Sequence, residues 1–205
     1  AQMELLTATI VHVESDSAVV DLYGRRIYVP KEDLTSLDIT DARRYFKPEQ
    51  ELEIRITALD QEAQLVQLSN VGSSTDPKKI IDEWGEDEDR VFECVVQRII
   101  QSNGRETGLS ATVPGKPFRG FIPRSKATFG RFSDLAHKYP VNTVVRVKPI
   151  GFSLEHGTFK CEIAGLEDPW AHIDRYRVGA KANVTIRQVS ERFITCEIEE
   201  GIEGD

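Results

Sequence analysis

The sequence predicts an all-β protein made of small five-stranded barrels in tandem, joined by short helical linkers. The first reason is internal repetition, because β-like runs begin at Thr7, Val91 and Ala182, about 85 to 90 residues apart in a chain of 205 residues. The second is that each run is followed by further short β-like runs between turn residues, with no long helical pattern. A repeat of this length accommodates one five-stranded module and a linker.

The first module is assigned to residues 1–72. Its fourth run, Glu51 to Ile56, alternates strictly between polar and apolar residues, which indicates a strand with one face in water. Five short strands with turn signals and no long helix are typical of the OB-type barrel. The predicted strands are 7–13, 18–22, 26–29, 51–56 and 64–68, and short helical turns are predicted at 31–34 and 41–46.

The second module, residues 90–165, repeats this order, and residues 166–205 contain a linker and the start of a third. The third module has two predicted strands and a turn at 201–204 that leads toward another strand. We therefore expect either a fragment of a longer protein or a half-module that another molecule completes. The predicted strands are 92–100, 109–113, 119–123, 144–148 and 158–163 in the second module, and 184–186 and 193–198 in the third.

The two linkers have the same pattern at their starts. Asp76-Pro77 in the linker 73–89 and Asp168-Pro169 in the second linker each place an acidic residue at a helix cap and proline at the first helical position. Trp84 and Trp170 follow in these short helices, and we expect each to pack against a neighbouring barrel. The acidic run 86–89 is interpreted as solvated linker whose charge repulsion extends it.

The formal net charge of −8 is distributed unevenly along the chain. Counting Lys and Arg against Asp and Glu, residues 1–72 carry −6, 73–89 carry −5, 90–165 carry +7 and 166–205 carry −4. RNA is a polyanion, and Lys and Arg that neutralise its phosphates supply most of the non-specific affinity. The second module is therefore predicted to contact RNA, and the acidic first module to dock onto a basic protein.

The third strand of the second module carries the principal candidate RNA contacts. Ile122 is predicted to point into the barrel, which leaves Arg119 and Phe121 together on the outer face. An exposed ring that stacks on a base contributes about 1–3 kcal/mol, and a nearby arginine contacts phosphate or stacks itself. The loops on either side of this strand add basic and aromatic candidates, which are Lys116, Phe118, Arg124, Lys126 and Arg131.

Weaker candidates come from the other two modules. Alternation in the first module places Arg26 and Tyr28 on the outer face of its third strand. In the third module, Phe193 and Arg192 are predicted to lie outside as a second stacking platform. The same alternation predicts that Ile194, Cys196 and Ile198 point inward and that Thr195 points outward.

The sequence gives no sign of catalysis, a cofactor, a metal site or a small-molecule substrate. The three cysteines and four histidines lack the spacing of metal ligands, and the odd cysteine number argues against a disulfide framework. No glycine-rich phosphate loop is present, and no Ser, His and Asp set stands out. The absence of a signal peptide and of an apolar stretch of membrane-spanning length predicts a cytoplasmic protein without a membrane partner.

Several stretches resemble the ribosomal protein S-one family, whose members carry tandem RNA-binding domains of the OB fold. The segment 119–125 is similar to the third strand of these domains, 168–170 and 176–179 to their junctions, and 199–204 to a turn between strands. Leu68-Ser69 fits the end of such a domain. The resemblance implies single-stranded RNA binding, and often association with the small ribosomal subunit in translation initiation. It covers nearly the whole chain.

The resulting hypothesis is a non-enzymatic, translation-associated protein that binds single-stranded RNA through its basic second module. The alternative is an adaptor that docks onto proteins of the small ribosomal subunit, or of another RNA machine, through its acidic first module. A third reading is an accessory region of a ribonuclease whose catalytic domain lies elsewhere.

Overall fold

The structure of the protein is a computed structural model that describes residues 5–85, 89–116 and 118–204. Residues 86–88 of the predicted acidic linker lie outside this description. The described residues form two five-stranded sheets and one three-stranded sheet. The predicted all-β class, with tandem OB-like barrels and short helical linkers, is confirmed.

The first sheet curls into a nearly closed barrel. Its strands run in the order β3-β2-β1-β4-β5, and a register shift after Ile10 bends the central strand β1. The two edge strands, β3 and β5, line one groove of about 490 Å³. Val20, Leu52 and Ile54 fill the interior and are fully buried. The strands are β1 (Leu6–Val13), β2 (Ser17–Leu22), β3 (Arg25–Pro30), β4 (Glu51–Asp60) and β5 (Leu65–Ser69), and the short helix α1 (Lys31–Leu34) follows β3.

The second sheet is a closed barrel with strand order β10-β8-β7-β6-β9. Its interior contains Leu109, Ile122 and Val147, which are fully buried. Two register shifts in the pairing of β6 with β7 bend this long strand around the barrel. The strands are β6 (Phe92–Ser102), β7 (Arg105–Thr112), β8 (Arg119–Pro123), β9 (Val144–Ser153) and β10 (Thr158–Ile163), with the short helix α3 (Leu135–Lys138) between β8 and β9.

The third sheet has the order β11-β12-β13, and the predicted orientation of its middle strand is wrong. Thr195 is buried, whereas Ile194 and Ile198 are exposed. The reason is that the three strands form an open sheet, so within the described chain no further strand covers the apolar face. The strands are β11 (Thr185–Val189), β12 (Ile194–Glu199) and β13 (Ile202–Gly204).

The described chain divides into two compact units. One unit contains the described residues of 1–90, 115–119 and 151–159, and the other contains those of 91–114, 120–150 and 160–205. The segment that leads into β8 and the tip of the β9–β10 hairpin therefore pack with the first barrel rather than with the rest of their own module.

The linker after the first barrel forms the helix α2 (Pro77–Gly85), with the predicted cap. The carboxylate of Asp76 accepts a hydrogen bond from the backbone N–H of Lys78 at 3.0 Å and from the hydroxyl of Thr35 at 2.6 Å. The cap thus fixes the start of α2 to the segment that follows α1. Trp84 is 8% exposed, and its ring centroid lies 4.5 Å from that of Phe159, so it packs as predicted.

The second linker forms a 3-10 helix, Pro169–Arg175, rather than an α-helix. Asp168 caps it by accepting a hydrogen bond from the backbone N–H of Trp170 at 2.9 Å. Trp170 itself is 54% exposed, so more than half of its surface does not pack against a barrel as expected. Its indole N–H donates instead to the carbonyl of Gly201 at 2.9 Å, because this short helix lies beside the β12–β13 turn.

Candidate nucleic-acid interface

The strand β8 presents Arg119 and Phe121 on the outer face of the second barrel. Arg119 is exposed and Phe121 is half-buried, whereas Gly120 and Ile122 between and after them are buried. A Cβ at Gly120 would lie 3.7 Å from the sulfur atoms of both core cysteines, which shows that this position faces the interior. The alternation read from the sequence therefore places both side chains as predicted.

The ring of Phe121 lies against a glycine of the neighbouring strand β7. A Cβ at Gly108 would be 2.9 Å from Cε2 of Phe121 and 2.5 Å from the carbonyl oxygen of Ile122. Only glycine leaves space for the ring to lie this close to the backbone. One part of the ring is thus supported by the sheet, while the remainder stays in solvent and can stack on a base.

Arg119 has a second cation nearby in the same compact unit. Burial lowers the pKa of Lys47, and the positive charge of Arg119 lowers it further. Lys47 and Lys116 also line one groove of about 700 Å³. Three carboxylates, Glu49, Glu51 and Glu53, line that groove as well, so its charge is mixed.

Sequence reasoning missed Lys160, which lies on the strand next to β8. In β10 the side chains of Phe159 and Cys161 are buried, and Lys160 between them is exposed on the outer face. Lys160 makes no side-chain ion pair within the part of the chain that the structure describes. The alternation of β10 already contained this signal, since the two apolar neighbours fix the face of the lysine.

Phe118 does not belong to the exposed site, contrary to the sequence prediction. Its ring is 1% exposed and is surrounded by four aromatic rings of the same compact unit. The centroid distances are 5.5 Å to Phe159, 5.8 Å to Phe152, 6.3 Å to Trp84 and 6.4 Å to Tyr45. Edge-to-face ring pairs of this kind stabilise a core by more than the burial of apolar surface alone. This explains why the Phe118 ring lies in the core and not at the surface.

Arg124 was also predicted to contact RNA, but its guanidinium is occupied inside the module. It donates to the carbonyl oxygens of Ser133 at 2.5 Å and Gly130 at 3.1 Å, and it lies 3.5 Å from the carboxylate of Glu106. Carbonyl groups of a loop need donors, and this arginine supplies them. Arg124 therefore holds the loop that follows β8, and its contact with RNA stays a prediction.

The other loop candidates remain at the surface. Lys126 is exposed and pairs with Glu162 at 3.1 Å, and an exposed pair of this kind is weak. The guanidinium of Arg131 lies 5.4 Å from the ring centroid of Phe132, which is half-buried. An arginine next to an aromatic ring keeps its charge accessible for phosphate.

The candidates in the two other modules are exposed as predicted. Tyr28 is 60% exposed, Arg26 is exposed beside it on β3, and both line the groove between β3 and β5. Phe193 is 47% exposed at the start of β12, and Arg192 is exposed in the preceding turn. These pairs resemble the one on β8 in type but belong to modules of net negative charge.

The buried cysteines of the second barrel are inert thiols. Burial raises the pKa of both Cys94 and Cys161 to about 12, so both are protonated at neutral pH. No group of three or more His, Cys, Asp or Glu side chains among residues 5–85, 89–116 and 118–204 is arranged to hold a metal ion. Within the same ranges, no helix has the length and apolar character needed to cross a membrane.

Comparisons with known proteins give matches among solved structures alone. No protein-family model and no curated protein matches the chain. A crystal structure of an a/eIF2alpha–aDim2p–rRNA complex from Pyrococcus horikoshii contains a chain that is 18% identical over 42% of this chain and 53% of that one, with a TM-score of 0.33. A multidomain protein with nucleic acid binding domains from Streptococcus pneumoniae is 15% identical over 83% of this chain and 56% of its own, with a TM-score of 0.29.

A third similar structure is the intact alpha subunit of aIF2 from Pyrococcus abyssi. It is 15% identical over 42% of this chain and 36% of its own, with a TM-score of 0.32. The chain therefore spans about half the length of the first two structures and about a third of the last. These likenesses concern the fold alone.

Proposed function

We propose that this protein binds single-stranded RNA through the outer face of β8 in its basic second barrel. The observation that carries the proposal is the pair formed by Arg119 and Phe121, which emerge on the same face of a module with a net charge of +7. In line with the resemblance to the ribosomal protein S-one family, we further propose a non-catalytic, translation-associated role in the cytoplasm, with the small ribosomal subunit as a partner.

Single strands suit this face better than duplexes. The partly exposed ring of Phe121 can stack only on a base that is not already stacked in a helix. Single-stranded RNA offers such bases, and an A-form duplex does not. Arg119 and Lys160, on β8 and on its neighbour β10, supply positive charge without any internal ion pair in the described residues. Stacking and phosphate contacts of this type tolerate many sequences, so we expect little base preference.

Fluorescence polarisation of the full chain with a labelled single-stranded oligoribonucleotide of about twelve nucleotides tests the proposal. We expect an affinity that falls with salt, with a log–log slope of about −0.7 for each phosphate contacted. Phe121→Ala should weaken binding by about 1–3 kcal/mol, which is roughly a 5- to 150-fold loss. A matched duplex should bind more weakly than the single strand.

The control for this variant is Tyr23→Ala, which removes an exposed ring from the turn between β2 and β3 in the acidic first module. Its affinity should equal that of the wild-type chain. Equal losses in Phe121→Ala and Tyr23→Ala, or undetectable binding of the wild-type chain at low salt, would contradict the proposal.

A second candidate function is protein docking by the first module. The observation that favours it is the groove between the edge strands β3 and β5, since unpaired edges of a sheet can accept an extended segment of a partner. The charge of −6 on residues 1–72 favours a basic partner. Small-subunit ribosomal proteins that remain bound after ribonuclease treatment would support docking, whereas their loss would indicate a link through RNA.

A further inference from the structure

The turn between β12 and β13 places the carboxylate of Glu200 against the second barrel. The carboxylate accepts a hydrogen bond from the ammonium of Lys138 at 2.6 Å and another from the hydroxyl of Thr128. The backbone N–H of Gly130 donates to the hydroxyl oxygen of Thr128 at 3.1 Å and also helps to lower the pKa of Glu200. We call the three residues around the carboxylate, Thr128, Gly130 and Lys138, the anion cradle. One anionic group is therefore held by an ammonium and a hydroxyl, with a backbone amide beside the hydroxyl, from a single stretch of chain.

Glycine at position 130 leaves room for the Glu200 side chain beside the loop. A Cβ at this position would lie 2.1 Å from Oγ of Ser133 and 2.7 Å from Cγ of Glu200, so a side chain there would displace both. Burial alone would raise the pKa of Glu200, but the hydrogen bonds from Lys138 and Thr128 outweigh it and hold the pKa below its ordinary value. The group in the cradle is thus an anion at neutral pH.

Bonds that do not involve Glu200 hold the cradle in shape. The guanidinium of Arg124 donates to the carbonyls of Gly130 and Ser133. The hydroxyl of Tyr139 donates to the carbonyl of Ala127 at 2.8 Å. The loop between β8 and α3 is therefore fixed from within its own module, so we expect the hydroxyl of Thr128 and the amide of Gly130 to keep their positions when the carboxylate is removed.

The acidic turn covers part of the basic segment that follows β8. Besides Glu200, the carboxylate of Glu203 accepts a hydrogen bond from the backbone N–H of Arg131 at 3.2 Å. Phosphate oxygens have the same requirements as these carboxylates, because both are anionic acceptors that favour amide, hydroxyl and ammonium donors. The carboxylates of Glu200 in the turn and Glu203 in β13 therefore occupy hydrogen-bond donors that could otherwise bind RNA phosphates.

We infer that the anion cradle is a second RNA-phosphate site of the basic barrel, and that Glu200 fills it in place of phosphate. The inference rests on the proposed RNA-binding function. Because the cradle holds one anion at a time, the acidic turn and the RNA backbone compete for it. The third sheet thus weakens RNA binding by the second barrel in the free protein.

The test is the RNA affinity of the full chain after Glu200→Gln, which keeps the shape of the side chain and removes its charge. An ion pair near the surface contributes about 0.2–1 kcal/mol, so its removal as a competitor should tighten RNA binding by a factor of about 1.4 to 5. One additional phosphate contact should also steepen the log–log salt slope by about 0.7. Adding Lys138→Ala to Glu200→Gln should cancel both gains.

The matched control is Glu199→Gln, which changes the net charge equally. Glu199 pairs with Arg175 and makes no hydrogen bond to the cradle, so this variant should gain no affinity. The indole of Trp170 donates a hydrogen bond to the carbonyl of Gly201 in the same turn, so the difference in tryptophan emission between each variant and the wild-type chain reports whether the turn has left the barrel.

The outcomes separate this inference from the proposed function. If the wild-type chain binds RNA and Glu200→Gln binds it no more tightly, the contact of Glu200 only fixes the turn. This result would overturn the inference and leave the proposed function intact. If Glu199→Gln and Glu200→Gln gain RNA affinity equally, the gain comes from net charge alone, and this result would also overturn the inference. Absence of binding by both proteins would remove the inference and the proposed function together.

Discussion

Replacing Phe118 by alanine should destabilise the protein strongly, although the residue lies three positions from the partly exposed Phe121. The ring is 1% exposed and has four aromatic neighbours with centroids 5.5 to 6.4 Å away. Phe→Ala in a packed core costs about 3–5 kcal/mol, through lost transfer free energy and the cavity that remains. Loss of several edge-to-face ring pairs, each contributing about 0.5–1.5 kcal/mol, favours the upper half of that range.

Urea unfolding followed by tryptophan emission measures this effect, since the ring centroid of Trp84 lies 6.3 Å from that of Phe118. With a denaturant dependence of about 2 kcal/mol per molar urea, a loss of about 4 kcal/mol lowers the midpoint by about 2 M. Phe121→Ala is the matched comparison and should lower stability by about 1 kcal/mol, because its ring is already partly in water. A small stability loss for Phe118→Ala combined with weakened RNA binding would refute the assignment of this ring to the core.

Three further predictions concern other parts of the molecule. Lys160→Ala should weaken RNA binding and reduce the log–log salt slope by about 0.7, whereas Lys79→Ala, which removes an exposed lysine of α2, should change neither. Iodoacetamide should modify Cys196 in the native protein and leave Cys94 and Cys161 unmodified, as read by mass spectrometry, because the two buried thiols have pKa values near 12. Asn70→Ala should cost about 2 kcal/mol in thermal or urea unfolding, since its amide donates to the buried carbonyl of Leu34 at 2.8 Å and its oxygen accepts from the hydroxyls of Ser73 and Thr75.

The strands were predictable because each barrel strand has one face in the core. The predicted bounds of β8 and β10 match the structure, and β4 starts at Glu51 as predicted but continues to Asp60. The same alternation predicted the outward direction of Arg119 and Phe121. The caps of both linkers were also predictable, since Asp-Pro places an acceptor and a proline where a helix starts. These features depend on neighbours in the sequence, which is why the sequence reveals them.

The features that could not be predicted depend on partners far away in the chain. Phe118 lies in a loop without periodicity, and its burial results from Tyr45, Trp84 and the tip of the β9–β10 hairpin. Arg124 resembles any surface arginine until the following loop folds back and brings its carbonyl groups to the guanidinium.

The third sheet illustrates the same limit at the level of a module. Ile194 and Ile198 have the pattern of inward residues, but burial requires further strands, and the described chain provides three in this sheet. Alternation therefore identified which side chains share a face without determining which face is covered.

The central claim is that RNA lies on the outer face of β8, and cross-linking with 4-thiouridine-containing single-stranded RNA tests it most directly. Trypsin releases Phe121 in the peptide 120–124 and Tyr28 in the peptide 27–31, so mass spectrometry distinguishes the two barrels. We predict that the nucleotide adduct is found on peptide 120–124. Adducts confined to peptide 27–31, with peptide 120–124 unmodified, would contradict the account.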